Sequence, residues 1–412
     1  MQQGPGKDDA LEAIDNADAS LRQLSIQIHD HPELGYEEHF AHKTLTDYLE
    51  QQGFQVTRQA CDISTAFIAE YENQGSGSAV DEPIRSVGFC SEYDALPSIG
   101  HGCGHNLIAI SGVAAALGVK AAMEKNNIRG KVRLLGTPAE ETLGGKRPML
   151  ERGAFNGLDA CMMVHPAQFD VLYRQPLGVG RFDFEFHGKA SHASASPWEG
   201  INALDAVCMT YNAIGLFRQQ TLPTNRIHSI VTNGGQAANI IPELASMTTL
   251  YRANKNEDLL KLHDQIAEIA KSSAEASGCT LNIKEPMQYS PLNNNPPLAD
   301  RFGEYMKSFG VRYNSREVDE TTPAGSTDMG NVTVALPGIH PVFNIASLDG
   351  EREPGLTTHS ALFAERAGTE VAHKATIRAA KGLSLTALDV LLDAEFAKSI
   401  REEFERSKPK IL

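Results

Sequence analysis

The sequence has one tryptophan, and aromatic residues make up only 7% of it. Positive charge is also short. Lys and Arg total 37 against 52 Asp and Glu, giving a formal charge of −15. That balance argues against nucleic acid and anionic membranes as partners, while leaving a small substrate free, because a local pocket can oppose the global sign. No run of about 18 apolar residues stands out, so no membrane span is expected. The start, Met1 to Ala13, is polar and acidic, with no apolar signal core and no basic presequence, so the expected compartment is the cytosol. The six cysteines, Cys61, Cys90, Cys103, Cys161, Cys208 and Cys279, are scattered over 412 residues. A disulfide framework is not expected from them, and most should be buried thiols. Internal repeats and low-complexity segments are lacking too. What is present is 41% apolar and 22% charged residues, the make-up of a globular protein with room for two or three domains.

The first 16 residues read as a frayed start to a helix over Ala17–His29. The cluster His29-Asp30-His31 lies beside Pro32 and Gly35, which make a turn the simpler reading. A helix over Ala41–Gln52 is closed by Gly53, strands follow at Phe54–Arg58 and Thr65–Tyr71, and Glu72–Pro83 reads as a surface loop. Strand and helix then alternate: a strand at Arg85–Cys90, an alanine-rich helix over Asn106–Lys125, a strand at Lys131–Gly136, a helix over Gly145–Arg152, and a strand at Asp159–Val164. Such alternation predicts a parallel sheet flanked by helices. From Gly178 the style changes to βαββαβ, with strict alternation at Arg181–Phe186 and helices over Gly200–Arg218 and Asn256–Ser277. That order is ferredoxin-like. The expected organisation is a catalytic α/β domain over 1–177 and 289–412, interrupted by an inserted lid or dimerisation domain over 178–288. In the last part the pattern predicts a helix over Asp300–Phe309, a loop over Thr321–Asn331, strands at Thr333–Leu336 and His340–Ala346, one long helix over Ala361–Gly382, and a terminal helix over Leu385–Lys408.

The polar residues at the strand ends carry the chemistry. His101-Gly102-Cys103-Gly104-His105 follows one predicted strand, Glu140-Glu141 the next, and His165 the third. In a parallel sheet these ends share one edge, where ligands bind. Each cluster alone is a turn histidine or a solvated Glu pair, but together they point to a metal site. Cys and His favour zinc-like ions, with manganese or cobalt possible at mixed donor sets. Cys103, His105, Glu141, His165 and one later histidine make five donors, too many for one tetrahedral ion and suited to two ions that share bridging atoms. The second Glu of the pair is then free to act as a general base.

The motifs resemble those of the dinuclear-metal amidohydrolases that include aminoacylases, Xaa-Arg dipeptidases and indole-acetyl-amino-acid hydrolases, most of all the Xaa-Arg dipeptidase-like branch. The resemblance rests on Glu92-Tyr93-Asp94-Ala95-Leu96-Pro97, His101 to Asn106, Gly136-Thr137-Pro138-Ala139-Glu140-Glu141, Met162 to Pro166, Gly188 to Ala193 and Ser326 to Asn331, in order along nearly the whole chain. It implies Cys103, His105, Glu141, His165 and His359 as ligands of two divalent ions, zinc first among them. It further implies Glu140 as general base, Asp94 as a carboxylate behind the ligands, and His192 as an oxyanion donor, commonly to the partner subunit's site. Asn239 and Arg252 would grip the substrate's carboxylate, with Gly325 and Ser326 lining the pocket. The implied activity is hydrolysis of an amide joining an acyl or aminoacyl group to an amino acid, by a homodimer paired through the lid.

Several positions depart from the pattern. Gly102 stands for alanine, Ser91 for glycine, and Thr142-Leu143 for smaller residues, and the stretch Asp349–Pro354 before His359 is unusual. None removes a ligand, so substrate identity is what they affect. Other readings stand beside each residue: Cys103 as a buried thiol, His192 as packing, Asn239 as a turn residue, Arg252 as a surface ion pair. The remaining histidines, His340 and His373 among them, read as surface or core residues. Two rival functions are an amide-forming enzyme using the same site and a non-catalytic metal-binding scaffold.

Overall fold

The computed structural model describes residues 4–75, 84–142, 144–321 and 324–408. Leu143 and most of the expected Glu72–Pro83 loop lie outside them. In chain order the strands are β1 Gln55–Arg58, β2 Phe67–Asn73, β3 Ser86–Ser91, β4 Gly130–Gly136, β5 Ala160–Met162, β6 His165–Ala167, β7 Gly178–His187, β8 Ser191–His192, β9 Arg226–Asn233, β10 Ile240–Ile241, β11 Leu244–Ala253, β12 Thr280–Tyr289, β13 Gly338–Ile339 and β14 Val342–Asn344. The helices are α1 Lys7–Asp30, α2 His39–Gln51, α3 His105–Lys125, α4 Lys146–Glu151, α5 Ala203–Phe217, α6 Asn256–Ser277, α7 Pro296–Ser308, α8 Arg316–Thr321, α9 Met329–Ala335, α10 Ala361–Ala367, α11 Glu370–Leu392 and α12 Ala394–Ser407. The chain divides into two units. The first holds residues 4–175, 292–324 and 331–408, and the second holds Pro176–Pro291 with Gly325–Gly330.

The first unit is built on a mixed sheet in the order β1-β2-β4-β3-β5-β13. Its half from β4 to β13 is parallel, while β2 runs antiparallel to β4 and to β1. The expected mixed α/β architecture, mostly parallel at its centre, is therefore present. Helix α3 lies against β3 and β4 and between α1 and α11. Leu107, Ile110, Val113 and the run Ala114 to Ala116 are all fully buried on it. A helix packed on every side must be apolar on every side. This corrects the expectation that no stretch is apolar enough for a membrane span. α3 is long and apolar enough by composition, but 89% of that window is buried inside the unit. Each fully buried Leu or Ile there contributes roughly 1.5–3 kcal/mol of transfer free energy.

Helix boundaries bring further corrections. α1 begins at Lys7, ten residues before the sequence suggested. Lys7 is held by Asp389 at 2.7 Å and by the Tyr305 hydroxyl at 2.7 Å, and Ala10 and Ile14 are fully buried. The predicted helix over Ala361–Gly382 is two helices. Thr369 caps the second, accepting the Ala372 N–H at 3.2 Å, so α10 stops at Ala367 and α11 runs on to Leu392. Asp393 caps α12 in the same way through the Phe396 N–H at 3.0 Å. The apolar stretch Thr333–Leu336, expected as a strand, falls in helix α9 and the residue after it. So short an apolar run has no period to separate the two forms.

The second unit is a four-stranded antiparallel sheet in the order β12-β7-β11-β9, with α5 and α6 packed on it. Phe182, Phe184 and Phe186 of β7 point to the same buried face, together with Met247, Tyr251 and Ile266. The alternation read from Arg181–Phe186 is this pleat. Element order and strand order together are those of a ferredoxin-like fold.

Candidate metal centre

The loops after the parallel strands of the first unit carry the polar groups. β3 ends at Ser91 and leads through Glu92 and Asp94 to Cys103 and His105. Gly104, the N-cap of α3, has φ 75°, and a Cβ there would sit 2.6 Å from Pro166 Cγ, so the cluster needs glycine at this position. β4 ends at Gly136 and leads to Glu140 and Glu141, while His165 follows β5. His359 arrives from far down the chain. Its N–H donates to the Gly102 carbonyl at 2.7 Å, and its own φ of 64° is left-handed. Strain of that kind in a non-glycine residue persists where surrounding contacts enforce it, often at functional sites.

Three groups of donor atoms converge within 4.8 Å of one another: Cys103, His105 and His165; Cys103, Glu141 and His359; and His105, Glu140 and Glu141. All five expected ligands and the expected base are thus brought together. Cys103 Sγ lies 3.4 Å from His165 Nε2, and Glu141 Oε1 lies 3.8 Å from His105 Nε2 and 3.3 Å from His359 Nε2. The groups behind them fix their aim. His105 Nδ1 donates to Asp94 Oδ1 at 2.8 Å, and His165 Nδ1 donates to the Pro166 carbonyl at 2.7 Å. Each histidine therefore turns Nε2 into the cluster, the arrangement used by metal-binding imidazoles. Asp94 Oδ2 also accepts the Glu141 N–H at 2.9 Å.

The donor set fits a cation. His105 Nε2 and Glu141 Oε1 are buried with no well-formed hydrogen bond among the described residues, a state that is unfavourable unless another partner takes them. Burial, reinforced by the charge of Glu141, pushes the Cys103 thiol up, so its thiolate needs a positive neighbour. Burial and the nearby Arg174 charge push His165 well down, leaving a neutral imidazole able to ligate. Burial alone would raise Glu141, yet the close approach of His359 and the charges of His105 and His359 hold it below the usual carboxylate range. Asp94 is lowered against its own burial by the charge and hydrogen bond of His105.

His101 stands outside these groups. It is buried, its Nε2 donates to the Ile28 carbonyl at 3.0 Å, and burial with the His105 charge lowers it to about 3. It shapes the turn. Three residues carry more than the sequence suggested. Lys146 and Glu92 form an ion pair with both side chains fully buried, and Glu92 Oε2 is 3.5 Å from His105 Nε2. Glu92 sits inside a quoted motif, whereas Lys146 offers no local signal because its partner is 54 residues away. His340 is fully buried, with its ring 5.6 Å from that of His165. Only its position just past β13, a strand end like the others, could have marked it.

The remaining expected site residues lie in the second unit. His192 of β8 pairs with Ile240 of β10, next to Asn239, whose carbonyl accepts the Ala193 N–H at 3.0 Å. His192 is exposed. Its Nδ1 accepts from the Ser194 and Ala195 N–H groups at 3.3 and 3.2 Å, which places the ring proton on Nε2. Arg252 donates to Ser326 Oγ at 2.8 Å, and burial lowers the guanidinium. Gly325 is tied to Leu177, accepting its N–H at 3.0 Å.

Comparison with known proteins agrees with this geometry. Residues 88–355 match the model of peptidase family M20/M25/M40. The chain is 41% identical over 405 residues to the Xaa-Arg dipeptidase of Homo sapiens, covering 96% of this chain and 91% of that protein. It is 28% identical over 473 residues to a component chain of the p-aminobenzoyl-glutamate hydrolase of Escherichia coli, covering 97% and 94%. Among solved structures, a Bacillus subtilis dinuclear metal binding peptidase of the M20 family superposes with a TM-score of 0.64 at 20% identity, over 92% of this chain and 99% of that one. Fold, convergent donors and sequence similarity lead to one conclusion: the chain belongs to peptidase family M20/M25/M40 and is a metal-dependent amidohydrolase.

Proposed function

We propose that the protein hydrolyses dipeptides, releasing a C-terminal amino acid with a free carboxylate and a basic side chain, at a pair of divalent ions held by Cys103, His105, Glu141, His165 and His359. The observation that carries this reading is the convergence of those five donors with Glu140 at the strand ends. The 41% and 40% identities to the human and mouse Xaa-Arg dipeptidases support the basic side chain. When bound, the ions polarise the scissile carbonyl and lower the pKa of water. Glu140 takes the proton of the attacking water and passes it to the leaving nitrogen. The Nε2–H of His192 stabilises the oxyanion, reaching the site of a partner subunit. Arg252 and Asn239 hold the substrate carboxylate, Arg through its planar fork.

Zinc suits the Cys and His donors best, with manganese or cobalt next. A homodimer paired through the second unit is supported by exposed Trp198, Leu216, Ile230 and Val231 and by the edge position of β9. A cytoplasmic location is supported by six unpaired cysteines. A panel of Xaa-Arg, Xaa-Lys, Xaa-Leu and Xaa-Asp dipeptides with N-acyl amino acids, assayed with each metal, tests the substrate assignment. The expected result is highest kcat/KM on Xaa-Arg or Xaa-Lys. Equal or better turnover of acidic or N-acyl substrates would reject it.

A further inference from the structure

The turn that carries Glu140 and Glu141 is strained. Ala139, just before Glu140, has φ 59°, a left-handed conformation that is unfavourable by about 1–2 kcal/mol for a residue with a Cβ. Two carboxylates brace this turn. On one side Asp94 accepts the Glu141 N–H. On the other, Glu38 Oε1 accepts the Ala139 N–H at 2.8 Å, from 101 residues away. Glu38 is fully buried, at the N-cap of α2.

The segment that delivers Glu38 is itself tied at several points. Glu33 accepts the N–H groups of Phe40 and Ala41 at 2.9 and 3.0 Å, which fixes the loop to α2. The Glu33 carbonyl accepts the Ala95 N–H at 2.7 Å, which fixes it to the loop of Asp94. Gly35 packs so closely on the turn that a Cβ there would meet Thr142 Oγ1 at 2.5 Å and Ala139 Cβ at 2.9 Å. The Glu38 side chain makes no cap bond to its own helix, so its bond to the Ala139 N–H is directed at the turn rather than at α2.

We infer that Glu38 is a positioning residue for amide hydrolysis: its oxygen locks the Ala139 peptide and so sets the aim of Glu140, and it does so by geometry rather than by charge. Burial and the charge of Asp94 push its carboxyl up to about 7. Protonated or ionised, it keeps an oxygen that can accept the Ala139 N–H, as a glutamine would.

The inference rests on Glu140 being the base, and the experiment separates the two. E38D withdraws the oxygen by about 1.5 Å while keeping the carboxylate. E38Q keeps the oxygen and removes the charge. A misplacement of about 1 Å near the reacting atoms can lower turnover about 100-fold. E38D should lower kcat by about 10- to 100-fold with KM and metal content close to wild type, and E38Q should retain kcat within about threefold. A merely structural role would instead lower the melting temperature and the active fraction without a selective loss of kcat. Wild-type kcat in E38D, or equal impairment in E38Q, would overturn the inference. If E38D folds poorly, Gly35→Ala presses on the same turn and carries the same expectation, kcat lost with metal retained, and wild-type kcat there overturns it equally. E140A distinguishes the failures. Full turnover in E140A refutes the base assignment, whereas loss in E140A beside a normal E38D refutes only the role of Glu38.

Discussion

In the first unit Cys103, His105 and His165 are buried, and the two histidines are aimed by a hydrogen bond to a neighbouring carboxylate or carbonyl. In the second unit His192 and Asn239 lie exposed, and Arg252 is half-buried against a serine hydroxyl. The first arrangement is preorganised: neighbouring hydrogen bonds set the aim of its histidines, and the buried donor atoms face one another. The second is more open: its side chains are held by fewer and more exposed bonds. Loss of a buried group in the first unit should therefore strike metal binding or the chemical step, while loss in the second should strike substrate handling with the metals untouched.

The sharpest way to break that contrast is Glu140→Ala, expected to lower kcat by about 10²- to 10⁴-fold with metal content unchanged. Stopped assays paired with elemental analysis check it. His192→Ala follows, with an expected loss of about 10²-fold in kcat, typical of a removed oxyanion donor, and again no change in metal. Were His192→Ala to release metal, the division between the units would fail. Arg252→Ala should mainly raise KM, by about 10- to 100-fold, the value of a charge-assisted hydrogen bond. Amidating the substrate carboxylate should abolish the difference between this variant and wild type.

The smallest expected effect concerns stability. Glu38 has a folded pKa of about 7 against 4.5 for the free group. The folded state therefore holds the proton more tightly than the unfolded state, and stability falls as pH rises from about 4.5 to 7, levelling off above. The difference of roughly 2.5 units corresponds to a few kcal/mol, at about 1.4 kcal/mol per unit. E38Q lacks this penalty, so its melting temperature should match wild type at or below about pH 4.5, exceed it increasingly up to about pH 7, and keep a constant lead from there to pH 8. A constant offset from about pH 4.5 to about pH 8 would contradict the raised pKa.

Much of the candidate metal site was legible from the sequence, for a physical reason. Parallel strands place their C-terminal ends on one edge, so Cys103, His105, Glu141 and His165 could be gathered from strand positions, though together with His101 and Glu140, and the resemblance to a family was needed to assign their roles. His359 could not; it reaches the cluster through a loop, and only the resemblance to a family marked it. The residues that support the donors were hidden because their partners are distant. Glu38 meets Ala139 across 101 residues, and Lys146 meets Glu92 across 54. The early start of α1 was missed on the same grounds, since Lys7 is anchored to Asp389 at the other end of the chain. In the second unit the period-two pattern of Phe182, Phe184 and Phe186 gave the strand directly, because one face of an antiparallel sheet is buried and the other is not.

The central claim is that five side chains of the first unit hold two ions. Elemental analysis of purified protein, beside Cys103→Ala and His359→Ala, tests it most directly. The account predicts about two divalent ions per wild-type chain, with occupancy reduced in both variants while the fold persists. Full metal content in both variants, or a wild-type chain that binds no divalent ion at all, would contradict it.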